Sequence, residues 1–166
     1  MDGLLANRWV FTVLNVLVNI IRPIPFIIFI TAIGPLGTTA ATFALVVAAT
    51  FGISRIVEQN LVTIDPGVLE AARAMGASPL RIIVTLLVPE ALGPLILGYT
   101  FVFVAVVDMT AVAGAVGGGG LGDFAITYGY HRFNWAVTGL AVLTIIVLVQ
   151  AAQFLGNLLA RKALRH

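Results

Sequence analysis

Residues 135–160 read WAVTGLAVLTIIVLVQAAQFLGNLLA, a run without a single Asp, Glu, Lys or Arg. In hydrocarbon a segment must satisfy its backbone hydrogen bonds internally, and a helix needs about 20 residues to cross. The run is long enough, and it is continuously apolar instead of alternating over about 10 residues as a barrel strand does. Three more runs share this character: Val10 to Ile33, Leu36 to Ser54 and Ile82 to Val107. The rest of the 166-residue chain is too short and too poor in charge to form a second, water-facing body. Only 10% of residues are charged, 60% are hydrophobic and the mean hydropathy is +1.10, whereas soluble domains carry about 25% charged residues. The expected fold is an all-α integral membrane protein, a single domain over 1–166 with about four spans. Cysteine is absent, which removes disulfides and thiolate metal sites. The net charge of +2 comes from scattered residues and gives nucleic acid no basic stripe to meet.

Basic residues near the span ends set the orientation. Arg8, Arg55, Arg73, Arg81, Arg161, Lys162 and Arg165 fall on one side and Arg132 on the other, leaving out the intramembrane Arg22. Both termini and the 55–81 connection are therefore expected in the cytoplasm. Tyr128, Tyr130 and Trp135 then fall at the outer interface and Trp9 at the inner one.

Two spans are interrupted. Arg22-Pro23-Ile24-Pro25 lies mid-way along the first, where prolines without donors predict a kink or break. Arg22 either faces a polar interior or another subunit, or snorkels to an interface. Pro89-Glu90 interrupts the third, so that 79–89 can form an oblique lead-in helix. Near its other end, Asp108 either faces a cavity or partner, or lies in polar solvent because the span stops at Val107. Gly114, Gly117, Gly118, Gly119, Gly120 and Gly122 follow. They suit a pathway lining or a helix that breaks and re-enters as well as a flexible outer loop. No Lys-Ser or Lys-Thr follows them, so they are not a phosphate cradle.

The stretch between spans two and three carries the most chemistry. Asp65 can cap a helix starting at Pro66, and Ser78 with Pro79 repeats that signal. Between them runs a predicted helix over about 66–75, on which Glu70 and Arg73 can pair, and Gly76 permits a sharp departure. The product is a helix-turn-helix elbow over 65–78, just below the membrane.

Here the chain resembles the permeases of ABC importers. Their signature is Glu-Ala-Ala, three residues, Gly, nine residues and Ile-x-Leu-Pro, and this chain has Glu70-Ala71-Ala72, Gly76 and Leu86-Leu87-Val88-Pro89 at that spacing. Positions 86 and 88 depart from it by apolar exchanges. Arg55-Ile56-Val57-Glu58, residues 70–77, the run Gly114 to Gly122, residues 19–26 and Tyr128-Gly129-Tyr130 narrow the likeness to methionine-importer permeases.

The resemblance implies that the elbow is a coupling helix. Glu70, Ala71, Ala72, Arg73, Met75, Gly76 and Ala77 would meet an ATP-binding subunit, and Val112 would stand where the family places an apolar gate residue. Gly114, Gly117, Asp108 and Arg22 are the other gate or pathway candidates. It further implies a permease homodimer in the inner membrane, two ATP-binding subunits that use ATP and Mg, and an external substrate-binding lipoprotein. The chain itself has no P-loop, binds no cofactor and is not an enzyme on this reading. The implied function is ATP-driven import of methionine, of D or L form. Permeases for other amino acids or quaternary ammonium osmoprotectants share much of the pattern, and a channel, secondary transporter or structural subunit is the alternative from outside the family. Family members usually have five spans with the N-terminus outside, and on this resemblance the chain begins just before the second. A misplaced start, a fragment or a real reduction would each give that.

Overall fold

The computed structural model describes residues 8–21, 23–33 and 37–164. Helices α1 (Arg8–Ile21) and α2 (Phe26–Ala32) occupy the first predicted span. They contain 14 and 7 residues, so neither reaches the length of a crossing. Pro25 sits just before α2 with φ −57° and ψ 133°, an extended conformation, and its carbonyl accepts from the amides of Ile28 and Phe29. The predicted break is thus a true separation. Among the described residues three helices, not four, are long and apolar enough to cross a membrane. Arg22 lies outside the described residues.

Helix α3 (Thr38–Val62) runs past the predicted stop at Ser54. Arg55 Nη1 donates to Glu58 Oε2 at 2.7 Å, one turn along. That pair lets two charges continue the helix instead of ending it, although an i,i+3 pair contributes only about 0.2–0.5 kcal/mol. Helix α4 (Pro66–Ala74) follows, and then α5 (Pro79–Ala115), 37 residues long. At 1.5 Å per residue α5 extends about 55 Å, well beyond a hydrocarbon core of about 30 Å. Pro89 does not divide it. The chain opens instead into one wide turn over Ile83–Leu87, where the amide of Val88 donates to the carbonyl of Ile83, five residues back. A proline clashes with the carbonyl four residues before it, and a widened turn removes that clash without ending the helix.

Helix α5 is the central element, with α3 and α7 (Trp135–Ala163) packed along it. Close approach depends on small residues: a Cβ on Gly98 would overlap Ile56 of α3, and one on Gly156 would overlap Thr100. The buried set is mostly alanine, at 41, 44, 91, 113, 141 and 160, while Phe43, Leu143 and Phe154 point outward. Water would penalise that inversion. Lipid does not, because its tails are as apolar as leucine and helices associate through tight packing of small side chains.

Beyond Ala115 the chain folds back. Gly117 adopts φ +82°, its amide donates to Gly114 O and that of Gly118 to Ala113 O at 2.8 Å, which closes the helix end. A short helix, α6 (Gly120–Asp123), leads into a wide turn over Phe124–Gly129 and a tight one over Tyr130–Arg132. This hairpin packs on α5 and α7. A Cβ on Gly122 would stand 2.6 Å from Ala111 Cα and 2.7 Å from its carbonyl oxygen. The glycine run is therefore a helix that breaks and packs against its own stem, not an open loop.

Gly122→Ala should accordingly lower stability by about 1–3 kcal/mol, since the opposing backbone cannot move aside. Gly139→Ala, where the new Cβ meets nothing within 4 Å, should be neutral or slightly stabilising. Thermal unfolding of the purified chain in detergent compares the two, and equal midpoints would contradict the packed hairpin.

Candidate functional site

The elbow forms from the residues that signalled it. Asp65 Oδ1 accepts from the amide of Gly67 at 2.8 Å with Pro66 at the first helical position, and Ser78 Oγ accepts from the amide of Arg81 at 3.4 Å ahead of Pro79. Each cap satisfies an orphan donor, and each proline stands where a missing amide costs nothing. At the other end of α4, the amide of Gly76 donates to Arg73 O and that of Ala77 to Ala72 O. Such a pair of bonds needs a left-handed residue at the first position past the cap, and Gly76 supplies it at φ +75°. A Cβ there would meet nothing within 4 Å. The requirement for glycine comes from backbone conformation alone.

Most of the predicted contact residues face outward. Glu70, Ala71, Arg73 and Met75 are exposed, Met75 to 81%, and Ala77 is half-buried. Ala72 differs, because it is buried within the chain at 9% exposure. A bulky residue there would disturb the elbow itself, so Ala71 is the better probe of an external cleft.

Apart from Arg22, the gate candidates stand at or just past the far end of α5, about 50 Å along the helix from Pro79. Val112 is half-buried, and Asp108 is exposed one turn below on the same face. Because α5 continues to Ala115, Asp108 lies inside a helix rather than past its end. Gly114 is turned by about 200° from Val112. It is buried under the hairpin, where a Cβ would strike the amide of Asp123. Gly117 is exposed and ends the helix.

Between α1–α2, α3 and α5 lies an open cavity of about 370 Å³ lined by Val18, Phe26, Phe51, Arg55, Gln59 and Met109 among others. A second hollow of about 210 Å³ adjoins it, with Asn15, Asn19, Ser54, Arg55 and Glu58 in its wall. Asn19 Nδ2 donates to Asn15 Oδ1 at 3.1 Å. Sequence reading passed over these side chains as a group. Their signal was polar residues spaced three and four apart, two on α1 and three on α3, in otherwise apolar helices. Among the described residues no three His, Asp or Glu gather as metal ligands.

Comparison with known proteins follows this architecture closely. Residues 3–164 match the family described as the binding-protein-dependent transport system inner membrane component. A probable D-methionine transport system permease protein MetI from Vibrio cholerae serotype O1 is 41% identical, covering 97% of this chain and 76% of that protein. The methionine import system permease protein MetP from Bacillus subtilis is 40% identical over 95% of this chain and 75% of its own length. Among solved structures, an inward-facing conformation of the MetNI methionine ABC transporter superposes with a TM-score of 0.87 at 37% identity, covering 96% of this chain and 78% of that one. With its elbow, its long central helix and a family match along nearly its whole length, this chain belongs to the inner membrane components of binding-protein-dependent transport systems.

Proposed function

We propose that this chain is the permease subunit of an ATP-driven methionine importer. It works as a pair, with two ATP-binding subunits on the cytoplasmic side and a substrate-binding lipoprotein outside. The observation that carries the reading is the likeness to methionine permeases at about 40% identity over nearly the whole chain. The elbow adds a physical reason: a short capped helix with an exposed face, joined through Gly76 to the start of α5, is built to receive a push from below.

In this mechanism ATP closes the nucleotide-binding dimer, the elbow from Glu70 to Ala77 moves with it, and α5 carries the displacement toward Val112. The pathway opens outward, receives substrate from the binding protein and returns inward after hydrolysis. Hydrolysis belongs to the partner, which holds ATP and Mg; this sequence has no P-loop. Asp108, on the same face as Val112, lies along the pathway or against the second permease, which is where a charge within a span is kept from lipid. Arg22 is assigned the same kind of setting.

The direct test is ATP-dependent uptake of radiolabelled methionine into proteoliposomes holding this chain with its cognate ATP-binding subunit and binding protein. Accumulation of methionine is expected. Accumulation of a quaternary amine or another amino acid in its place would contradict the substrate.

Gly76→Val should break coupling without preventing insertion, because a β-branched residue at φ +75° costs about 1–2 kcal/mol or more. The expected outcome is lost association with the ATP-binding subunit, or ATP turnover disconnected from uptake. Gly76→Asn should do less harm, since asparagine tolerates left-handed backbone. Wild-type coupling in the valine variant would refute the role given to this turn.

A further inference from the structure

Arg55 stands at the junction of the two hollows and lines both. Its Nη1 holds Glu58, but its buried Nε has no hydrogen-bond partner among the described residues. A buried donor left unpaired costs free energy unless something else satisfies it. Above Arg55 the cavity wall is apolar, with Phe51, Phe101, Val102 and Met109. One turn further along α3 are Glu58 and Gln59, and the smaller hollow adds the polar groups of Asn15, Asn19 and Ser54. The site is thus amphipathic along its length, and its volume falls within the usual range for a small-molecule pocket, about 300–1,000 Å³. Phe101, Ala105 and Met109 form the cavity-facing stripe of α5, and Val112 is the next residue along that face.

Resting on the permease reading, we propose that Arg55 and Glu58, in the cytoplasmic part of α3, form a way-station for a zwitterionic α-amino acid with an apolar side chain. The Arg55 guanidinium takes the carboxylate, through Nε together with an Nη, in the fork geometry that suits planar anions. Glu58 takes the ammonium group, and the side chain lies upward against Phe51, Phe101 and Met109. The existing ion pair is the empty form of the site: its two side chains are 39% and 45% exposed, so solute can reach both. Exchanging one ion pair for two needs only side-chain rotation. A bare cation gains nothing from the unpaired Nε and a neutral acceptor gains a bond without charge assistance, which makes the site favour a carboxylate.

The test places a reporter at the polar end of the cavity, as Gln59→Cys, in the full complex with its ATP-binding subunit in nucleotide-free proteoliposomes. Alkylation of this cysteine by a neutral maleimide is followed with L-methionine or L-methionine methyl ester present. L-methionine should slow alkylation and the ester should not, because it offers the guanidinium no anion. Adding Arg55→Gln should weaken protection by about ten- to a hundredfold in methionine concentration, the range for losing a charge-assisted bond. Arg55→Lys should retain part of it. The alkylation rate without ligand reports whether the cavity itself survives, so a collapsed variant is recognised and the lysine variant then decides. Three results would overturn the proposal: no protection by methionine, equal protection by the ester, or protection undiminished in Arg55→Gln. Uptake of methionine by the unsubstituted complex, measured alongside, separates the two claims. No uptake defeats the substrate reading, whereas uptake without protection defeats only the way-station.

Discussion

A helix that ends in or near a membrane must still satisfy its last carbonyls, and the way this chain does so sets its shape. Three helix ends close alike. Past α4 the amides of Gly76 and Ala77 turn back to Arg73 and Ala72; past α5 those of Gly117 and Gly118 turn back to Gly114 and Ala113; before α7 those of Phe133 and Asn134 turn back to Tyr130 and Gly129. Each closure needs one left-handed residue, and two of the three use glycine. The third uses Phe133 at φ 52°, which costs about 1–2 kcal/mol and is tolerated because the bonds it completes would otherwise be lost. Closed in this way, the chain can reverse within a few residues, and the elbow and the hairpin come to lie at opposite ends of α5.

Between those ends, packing depends on what is missing from the side chains. Gly98, Gly156 and the buried alanines let α3 and α7 lie close against α5, while the large apolar residues face outward. A central helix gripped on two sides by short contacts is suited to moving as a body. That property is what a coupling mechanism asks of it, and the wide turn at Ile83–Leu87 joins this body to the elbow.

Much of this was legible in the sequence because it was written in local chemistry. Asp65-Pro66, Ser78-Pro79 and Gly76 each specify a cap or a reversal, and all three did so. Pro23 and Pro25 specified a break. Span ends were less legible, since an apolar run falls silent at its first charge whereas a helix does not: Arg55–Glu58 pairs along α3, and Asp108 is carried within α5. Pro89 was misread for a related reason, as a proline signals a clash without saying whether the helix ends or merely widens. The inward turn of Ala72 and the gathering of Asn15, Asn19, Ser54, Arg55 and Glu58 depend on which helices become neighbours, and no local pattern states that. Gly114 packs under the hairpin, a contact its sequence did not announce, because a small side chain suits a packed backbone and a pathway lining alike.

On the proposed mechanism the exposed face of the elbow meets the ATP-binding subunit. A photo-crosslinking amino acid placed at Met75, which is 81% exposed on the elbow, tests this contact in the assembled complex. The expected result is an adduct with the ATP-binding subunit whose yield changes when ATP is added, and none from the same group placed at Tyr130 in the hairpin. An adduct from Tyr130 and none from Met75 would contradict it.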